Sequence, residues 1–197
     1  MRPADDHYPT PPEVTRALLS VERFGGPVWE PCAGSGEMAA TLRRAGYTVA
    51  ATTIGEGRGG ARVGKYEVEG GCDVLACTHA RHPSIATNPP YRDVDAILAH
   101  LLTLDVAKVA LFLNVKFLAG QKRAATLHRE APPARVWVFA DRVSLYPAGW
   151  DGPRNSTTET MAWFVWDFPS RGAPPQVGWL RARDFADTEQ QGQGETA

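Results

Sequence analysis

The sequence predicts an α/β fold: a doubly wound, mostly parallel sheet with helices on both faces. Three observations predict it. Short apolar runs alternate with amphipathic stretches of helical period along the chain. KVALFLNV at 108–115 is nearly all apolar, as a strand buried on both faces must be. Two turns, Cys32–Gly36 and Asn88–Tyr91, follow directly on apolar strands. In such sheets ligands bind beyond the carboxyl ends of strands, at a topological switch point.

The elements follow in order. Residues 10–22 open with Thr10 as a cap and prolines near the first turn, then place Val14, Ala17, Leu18 and Val21 at helical spacing. A short strand is expected at about 27–30. After the glycine turn comes a helix over about 37–45, ended by Gly46. YTVAATTI at 47–54 reads as the second strand. Residues 55–71 are glycine-rich and read as irregular, and Asp73–Leu75 as a strand or short turn. A buried strand at 84–87 is stopped by two prolines. Residues 93–104 form a helix with Val94, Ile97, Leu98, Leu101 and Leu102 on its apolar face. FLAGQKRAATLHRE is helical. RVWVFA at 135–140 and MAWFVWDF at 161–168 are late strands, the second half-exposed or antiparallel.

Length and composition bound the function classes. The 197 residues suit one domain, and 43% apolar with 22% charged residues is a globular balance. No apolar run nears the roughly 18 residues of a membrane helix, and MRPADDHYPTPP has no apolar secretory region. Three cysteines, Cys32, Cys72 and Cys77, do not make a disulfide scaffold, so a reducing cytoplasm is the expected setting. Net charge is −1. Residues 184–197 hold four acids and no Lys or Arg, and are expected as a disordered tail on a single domain over 1–183. That domain sets 21 bases against 18 acids, a net +3 compatible with nucleic acid but not diagnostic of it.

Three motifs carry chemistry. The first is Glu30-Pro31-Cys32-Ala33-Gly34-Ser35-Gly36, where a strand ends in an acid and glycines let the backbone approach a ligand. Alone it is also the plain turn from strand to helix, and it lacks the full dinucleotide fingerprint or a phosphate-loop lysine. The second is Asn88-Pro89-Pro90-Tyr91. Pro89 holds Asn88 extended, and an aromatic beside a rigid amide and free carbonyls makes a clamp for a planar amine. An adenine-type amine is a poor nucleophile because its lone pair is delocalised. An amide oxygen and a carbonyl accepting its two N–H bonds favour a pyramidal nitrogen, so positioning does most of the work. The third is Tyr8-Pro9-Thr10-Pro11, ahead of the first helix.

Together these resemble the S-adenosylmethionine-dependent DNA N6-adenine methyltransferases of the phage and prophage type. YPTP, EPCAGSG, the acid in GCDVL, TNPPY, VALFLNVKFLAG and AWFVW all match, over about residues 6–168. The resemblance implies a seven-stranded Rossmann-like sheet with an antiparallel late strand, and S-adenosyl-L-methionine as cofactor. Glu30, Pro31, Cys32, Ala33, Gly34 and Gly36 would line its methionine part, with Tyr8 and Thr10 closing over that end. Asp73 would take the cofactor adenine amine, with Val74 or Leu75 against the ring. Asn88, Pro89, Pro90 and Tyr91 would hold and stack the target base, flipped out of duplex DNA.

One position departs from the pattern. Where such enzymes carry an acid for the cofactor ribose, this chain has Thr53 and Ile54, and a hydroxyl is a weaker partner than a carboxylate. Glu56 is the alternative. Substrate contacts are expected from Lys116 and from the long polar segment 141–160, through Arg142, Tyr146, Trp150 and Arg154. Lys122, Arg123 and Arg129 read as a solvated helix face. Cys72, Cys77, His79 and His82 are spaced too loosely for a zinc site, so no metal is expected. DNA is the expected partner. The same motif also serves RNA adenine and protein glutamine, and a silent cofactor-binding domain is the reading from another class.

Overall fold

The computed structural model describes residues 8–55, 62–63, 66–146, 159–168 and 173–187. The helices are α1 (Pro12–Val21), α2 (Glu37–Arg44), α3 (Val94–Leu101), α4 (Gln121–Ala125) and α5 (Leu127–Glu130). The strands are β1 (Val28–Glu30), β2 (Val49–Ala51), β3 (Arg62–Val63), β4 (Val68–Glu69), β5 (Ser84–Thr87), β6 (Lys108–Asn114), β7 (Arg135–Phe139), β8 (Met161–Asp167) and β9 (Gln176–Leu180). Seven of them form one sheet in the order β2-β1-β5-β6-β8-β7-β9, in which only β8 runs antiparallel to its neighbours. β3 and β4 pair separately as a small antiparallel ladder.

Two cores cover the two faces of the sheet. One joins α1 and α2 to Val28, Phe112, Phe139 and Trp163. The other joins α3 to Trp29, Ile85, Leu111, Phe164 and Trp166. Buried tryptophans need an acceptor for the indole N–H, and these find one. Trp163 Nε1 donates to the Val14 carbonyl at 3.1 Å and pins α1 to the sheet. Trp29 Nε1 donates to Thr52 Oγ1 at 3.0 Å. No helix among the described residues is long and apolar enough to cross a membrane.

Several expectations change. Thr10 is buried and does not cap α1; Pro11 holds that position without a side-chain hydrogen bond, and Pro12 removes one unpaired donor. Residues 117–130 are not one helix. A 3-10 turn (Val115–Leu118) leads into α4, and Thr126, at φ −123° and ψ −94°, separates α4 from α5. Of the two readings of β8 the antiparallel one holds and the half-exposed one does not: Met161–Trp166 are all buried because the strand lies between β6 and β7. The ladder of β3 and β4 falls within the glycine-rich stretch read as irregular.

β9 was not expected at all. It is an edge strand whose Val177 and Trp179 face solvent, Trp179 at 70% exposure. Gly178 interrupts its apolar pattern for a packing reason, since a Cβ there would come within 2.3 Å of the Trp137 ring. Residues 184–187, expected in the tail, are held against the fold. Ala182–Phe185 form a 3-10 turn, the Phe185 carbonyl accepts from Arg16 Nε at 2.7 Å, and Arg16 pairs with Asp187 at 3.3 Å. Residues 188–197 lie outside the described residues.

Candidate active site

The strand order reverses at β1, which has β2 on one side and β5 on the other. The glycine turn leaves the carboxyl end of β1, and Asn88 leaves that of β5, so both motifs sit at the switch point. They are tied together. The Cys32 N–H donates to Thr87 Oγ1 at 3.2 Å, and the Ala33 N–H donates to the Thr52 carbonyl at 2.9 Å. Gly34 (φ +52°) and Gly36 (φ +93°) take left-handed conformations. At Gly36 a side chain is also excluded by space: its Cβ would lie 2.7 Å from Val68 Cγ2 and 2.9 Å from Tyr66 Cβ.

Glu30 ends β1 at 2% exposure. Its carboxyl accepts from the Ala39 N–H in the first turn of α2, while Oε2 has no partner among the described residues. Burial pushes this carboxyl well above the usual range. The Ala39 bond opposes that rise, the Glu37 charge adds to it, and Arg43 opposes it. Cys32 is pushed up to about 12, chiefly by burial, so it is a neutral thiol at physiological pH.

The second strand ends in a short loop. Thr53 Oγ1 accepts from the Gly55 N–H at 3.4 Å, and the Thr53 backbone is bonded to Glu69 and Cys72 at 2.9 Å each. Ile54 stands 72% exposed beside it. Asp73 Oδ1 caps the Val74–Ala76 turn by accepting from the Leu75 N–H at 2.9 Å. Val74 is buried in the core, and Leu75 is exposed. Cys72 and Cys77 are free thiols with sulfurs 3.9 Å apart, and Cys77 is pushed up to about 11 by burial and by Cys72. Among the described residues no group of three or more His, Cys, Asp or Glu is placed to hold a metal.

Tyr91 of the same motif lines a cavity of about 400 Å³ that Asn88 itself does not line. Its walls are apolar and aromatic: Tyr91, Phe117, Leu113, Val143, Leu145 and Met161, with Tyr8 at its edge. Asn88 Nδ2 donates to the Tyr8 carbonyl at 3.1 Å, and the Tyr91 hydroxyl donates to Met161 Sδ at 3.9 Å. The polar rim is Asn114, Lys116, Arg123 and Glu159. Asn114 Nδ2 and Lys116 Nζ both bond the Glu159 carboxylate, the latter at 2.9 Å.

Tyr8, Tyr91 and Lys116 therefore share this cavity, and Asn88 is bonded to the backbone of Tyr8 without lining it. Arg142 is exposed on the segment after β7 and does not line it. Glu56, Trp150 and Arg154 lie outside the described residues. Arg123 is no solvated residue: it pairs with Asp95 at 2.7 Å and lies over the Phe117 ring at 4.6 Å. Sequence reasoning missed Asn114, Phe117 and Glu159. The first two sit within NVKFLAG and were readable as polar or aromatic residues at a strand end; Glu159 carries no local signal.

No protein-family model and no curated protein sequence matches the chain. Solved structures do. The 23S rRNA methyltransferase ErmE matches with a TM-score of 0.51 and 14% identity, over 85% of this chain and 70% of that one. A dimethyladenosine transferase from Plasmodium falciparum matches with a TM-score of 0.52 and 14% identity, over 84% of this chain and 66% of that one. The chain thus spans about two thirds of the length of these structures. What it shares with them is the fold, the mixed seven-stranded Rossmann-like sheet of methyltransferases with one antiparallel strand.

Proposed function

We propose that this chain transfers a methyl group from S-adenosylmethionine to the exocyclic N6 amine of adenine in a nucleic acid. The observation that carries the reading is the placement of Asn88. It leaves a strand at the switch point, beside the glycine turn, and its amide is fixed against Tyr8, which with Tyr91 lines an aromatic-walled cavity.

The residues present fit the cofactor. Oε2 of Glu30, buried and without a partner among the described residues, would accept from an ammonium group once the carboxyl gives up its proton. The left-handed glycines Gly34 and Gly36 set the tight turn that would carry the backbone past the cofactor. Exposed Ile54 and Leu75 are apolar surfaces for a purine, with Asp73 as an acceptor nearby. Pro31, Cys32, Ala33, Tyr8 and Thr10 complete the methionine end. When bound, S-adenosylmethionine supplies an electrophilic methyl on a sulfonium sulfur.

This chain's residues then orient the acceptor. Asn88 Oδ1 and the Pro89 carbonyl accept the two N–H bonds of the target amine, and Tyr91 stacks on its ring. Pro90 keeps the turn rigid. The nitrogen lone pair is directed in line with the methyl, and the amine proton leaves to solvent after transfer, so no strong base is needed. Thr53, whose hydroxyl already accepts from Gly55, makes a weaker ribose contact than a carboxylate.

DNA is the acceptor favoured by the motifs and their order. RNA is favoured by the solved structures of similar fold, whose names are those of an rRNA methyltransferase and a dimethyladenosine transferase. The test is to incubate the protein with methyl-labelled cofactor and, separately, unmethylated DNA, RNA and a cell protein extract, then digest and identify products by mass. N6-methyladenine from either nucleic acid is the expected result, and its source decides between them. Label in glutamine would move the substrate to protein. Cofactor binding without label in any sample would overturn the reading in favour of a silent domain.

A further inference from the structure

We propose that Lys116, held in place by Glu159, reads the ring of the acceptor base. The inference rests on the adenine reading above and adds a specificity determinant to it. Once the exocyclic amine is held at Asn88 and Pro89, the ring nitrogens left on adenine are acceptors only, so a matching wall must donate. Five lining side chains carry donors: Tyr8, Tyr91, Asn114, Lys116 and Arg123; the Tyr91 hydroxyl is turned to Met161 Sδ, and Tyr8 stands on the segment that holds Asn88. Arg123 is committed to Asp95, to the Ala119 carbonyl at 3.0 Å and to the Phe117 ring. Asn114 turns its Nδ2 to Glu159 and its Oδ1 to the Lys116 N–H at 2.8 Å. Lys116 gives one ammonium proton to Glu159 Oε1 at 2.9 Å and has two more.

The lysine is also held, although its side chain is 78% exposed. Asn114 fixes its backbone and Glu159 its ammonium, so a flexible stem is kept over the cavity. The sheet sets the distance. Thr87 pairs with Leu111, so Asn114 lies one strand over and two residues beyond the level of Asn88. Strand spacing and rise then put the two Cα atoms about 8 Å apart, within reach of a purine lying between them. A glutamine side chain has no ring acceptor at that distance, so this wall favours a nucleobase over a protein amide.

The test uses the full chain and four oligonucleotides of the nucleic acid it methylates. Each carries one target: adenine, or its 1-deaza, 3-deaza or 7-deaza analogue. Lys116→Ala is expected to lower kcat/KM on adenine roughly 10- to 100-fold, the range of one bond to a charged group. On the single analogue lacking the nitrogen that Lys116 reads, the same change should cost less than about twofold, because wild type has already lost that bond. Glu159→Gln should show the same analogue dependence at smaller size, mostly in KM, and Lys116→Arg should restore most of the activity. An equal loss on all four targets would overturn the inference and make Lys116 a phosphate contact. Wild type inactive on adenine itself would instead bring down the functional reading and this inference with it.

Discussion

Asn88 Nδ2 donates to the backbone carbonyl of Tyr8 at 3.1 Å, across 80 residues of sequence. A carbonyl accepts only, so this bond fixes which end of the amide is nitrogen and turns Oδ1 the other way. The N-terminal YPTP segment therefore orients the amide proposed to hold the target amine.

That relationship separates three variants. Asn88→Ala and Asn88→Asp should each lower methyl transfer by about 10²- to 10³-fold, the loss typical of one preorganised polar group. Cofactor affinity should change little. Tyr8→Ala keeps the backbone acceptor and should be milder than deletion of residues 1–9, which removes it. Single-turnover rates and cofactor titrations check this. Equal losses for Tyr8→Ala and the deletion would place the importance in the ring instead.

Glu30 predicts opposite effects on stability and binding. Its carboxyl is held well above the ordinary value of 4.5, first by burial. The folded protein keeps this proton where the unfolded chain has lost it, so the contribution to stability is full below 4.5 and falls as pH rises through the folded value. Glu30→Gln removes the ionisation. Its melting temperature should exceed that of wild type at pH 8, with the gap closing as pH falls toward 4.5. If Oε2 is the cofactor ammonium's partner, the same variant should bind cofactor about tenfold or more weakly. A variant less stable by one margin at every pH would show that Glu30 is only packing.

Gly36→Ala should fail for two reasons that add. The residue sits at φ +93°, and a Cβ would meet Val68 Cγ2 and Tyr66 Cβ, both under 3.0 Å. Overpacking of this kind destabilises by about 1–3 kcal/mol, before the cost of the left-handed backbone. Val68→Ala in the same chain removes one of the two clashes and should recover part of the loss. Urea unfolding of the single and double variants measures it. No recovery would assign the whole effect to the backbone.

The sequence was most readable where one local rule decided the outcome. β5 is bounded by Pro83 and Pro89 and is buried throughout, and its ends match the expected strand at 84–87. β6 was legible because a central strand must be apolar on both faces. β9 was not, because Gly178 answers to the Trp137 ring and Val177 and Trp179 face out. The site divides the same way. The two turns at the switch point have local signatures, whereas Asn114 and Glu159 are 45 residues apart and meet only because β6 pairs with β8. Thr10 shows the converse, a residue of capping type that the fold buries instead.

A second buried glutamate, at the opposite end of the sheet's strands, predicts the reverse pH dependence to Glu30. Glu22 follows α1 and meets Lys108 at the start of β6 and Arg135 at the start of β7; Asp167, at the end of β8, bonds Arg135 at 2.7 Å. Trp137 Nε1 adds a bond to Glu22 at 2.9 Å. Burial alone would raise the Glu22 carboxyl, but the bonds from Arg135, Lys108 and Trp137 outweigh it and hold it below 4.5. Its contribution is therefore present above 4.5 and lost as pH falls through the folded value. Removing one member of a buried ionic group leaves the others uncompensated, so Glu22→Ala should destabilise by about 3–5 kcal/mol at pH 7. Glu22→Gln keeps the shape and should flatten the acid limb of the stability curve. Because this network lies at the end of the strands away from Asn88, both variants should keep cofactor affinity at temperatures where they remain folded. A loss of affinity in folded Glu22→Gln would mean that the two ends of the strands are coupled.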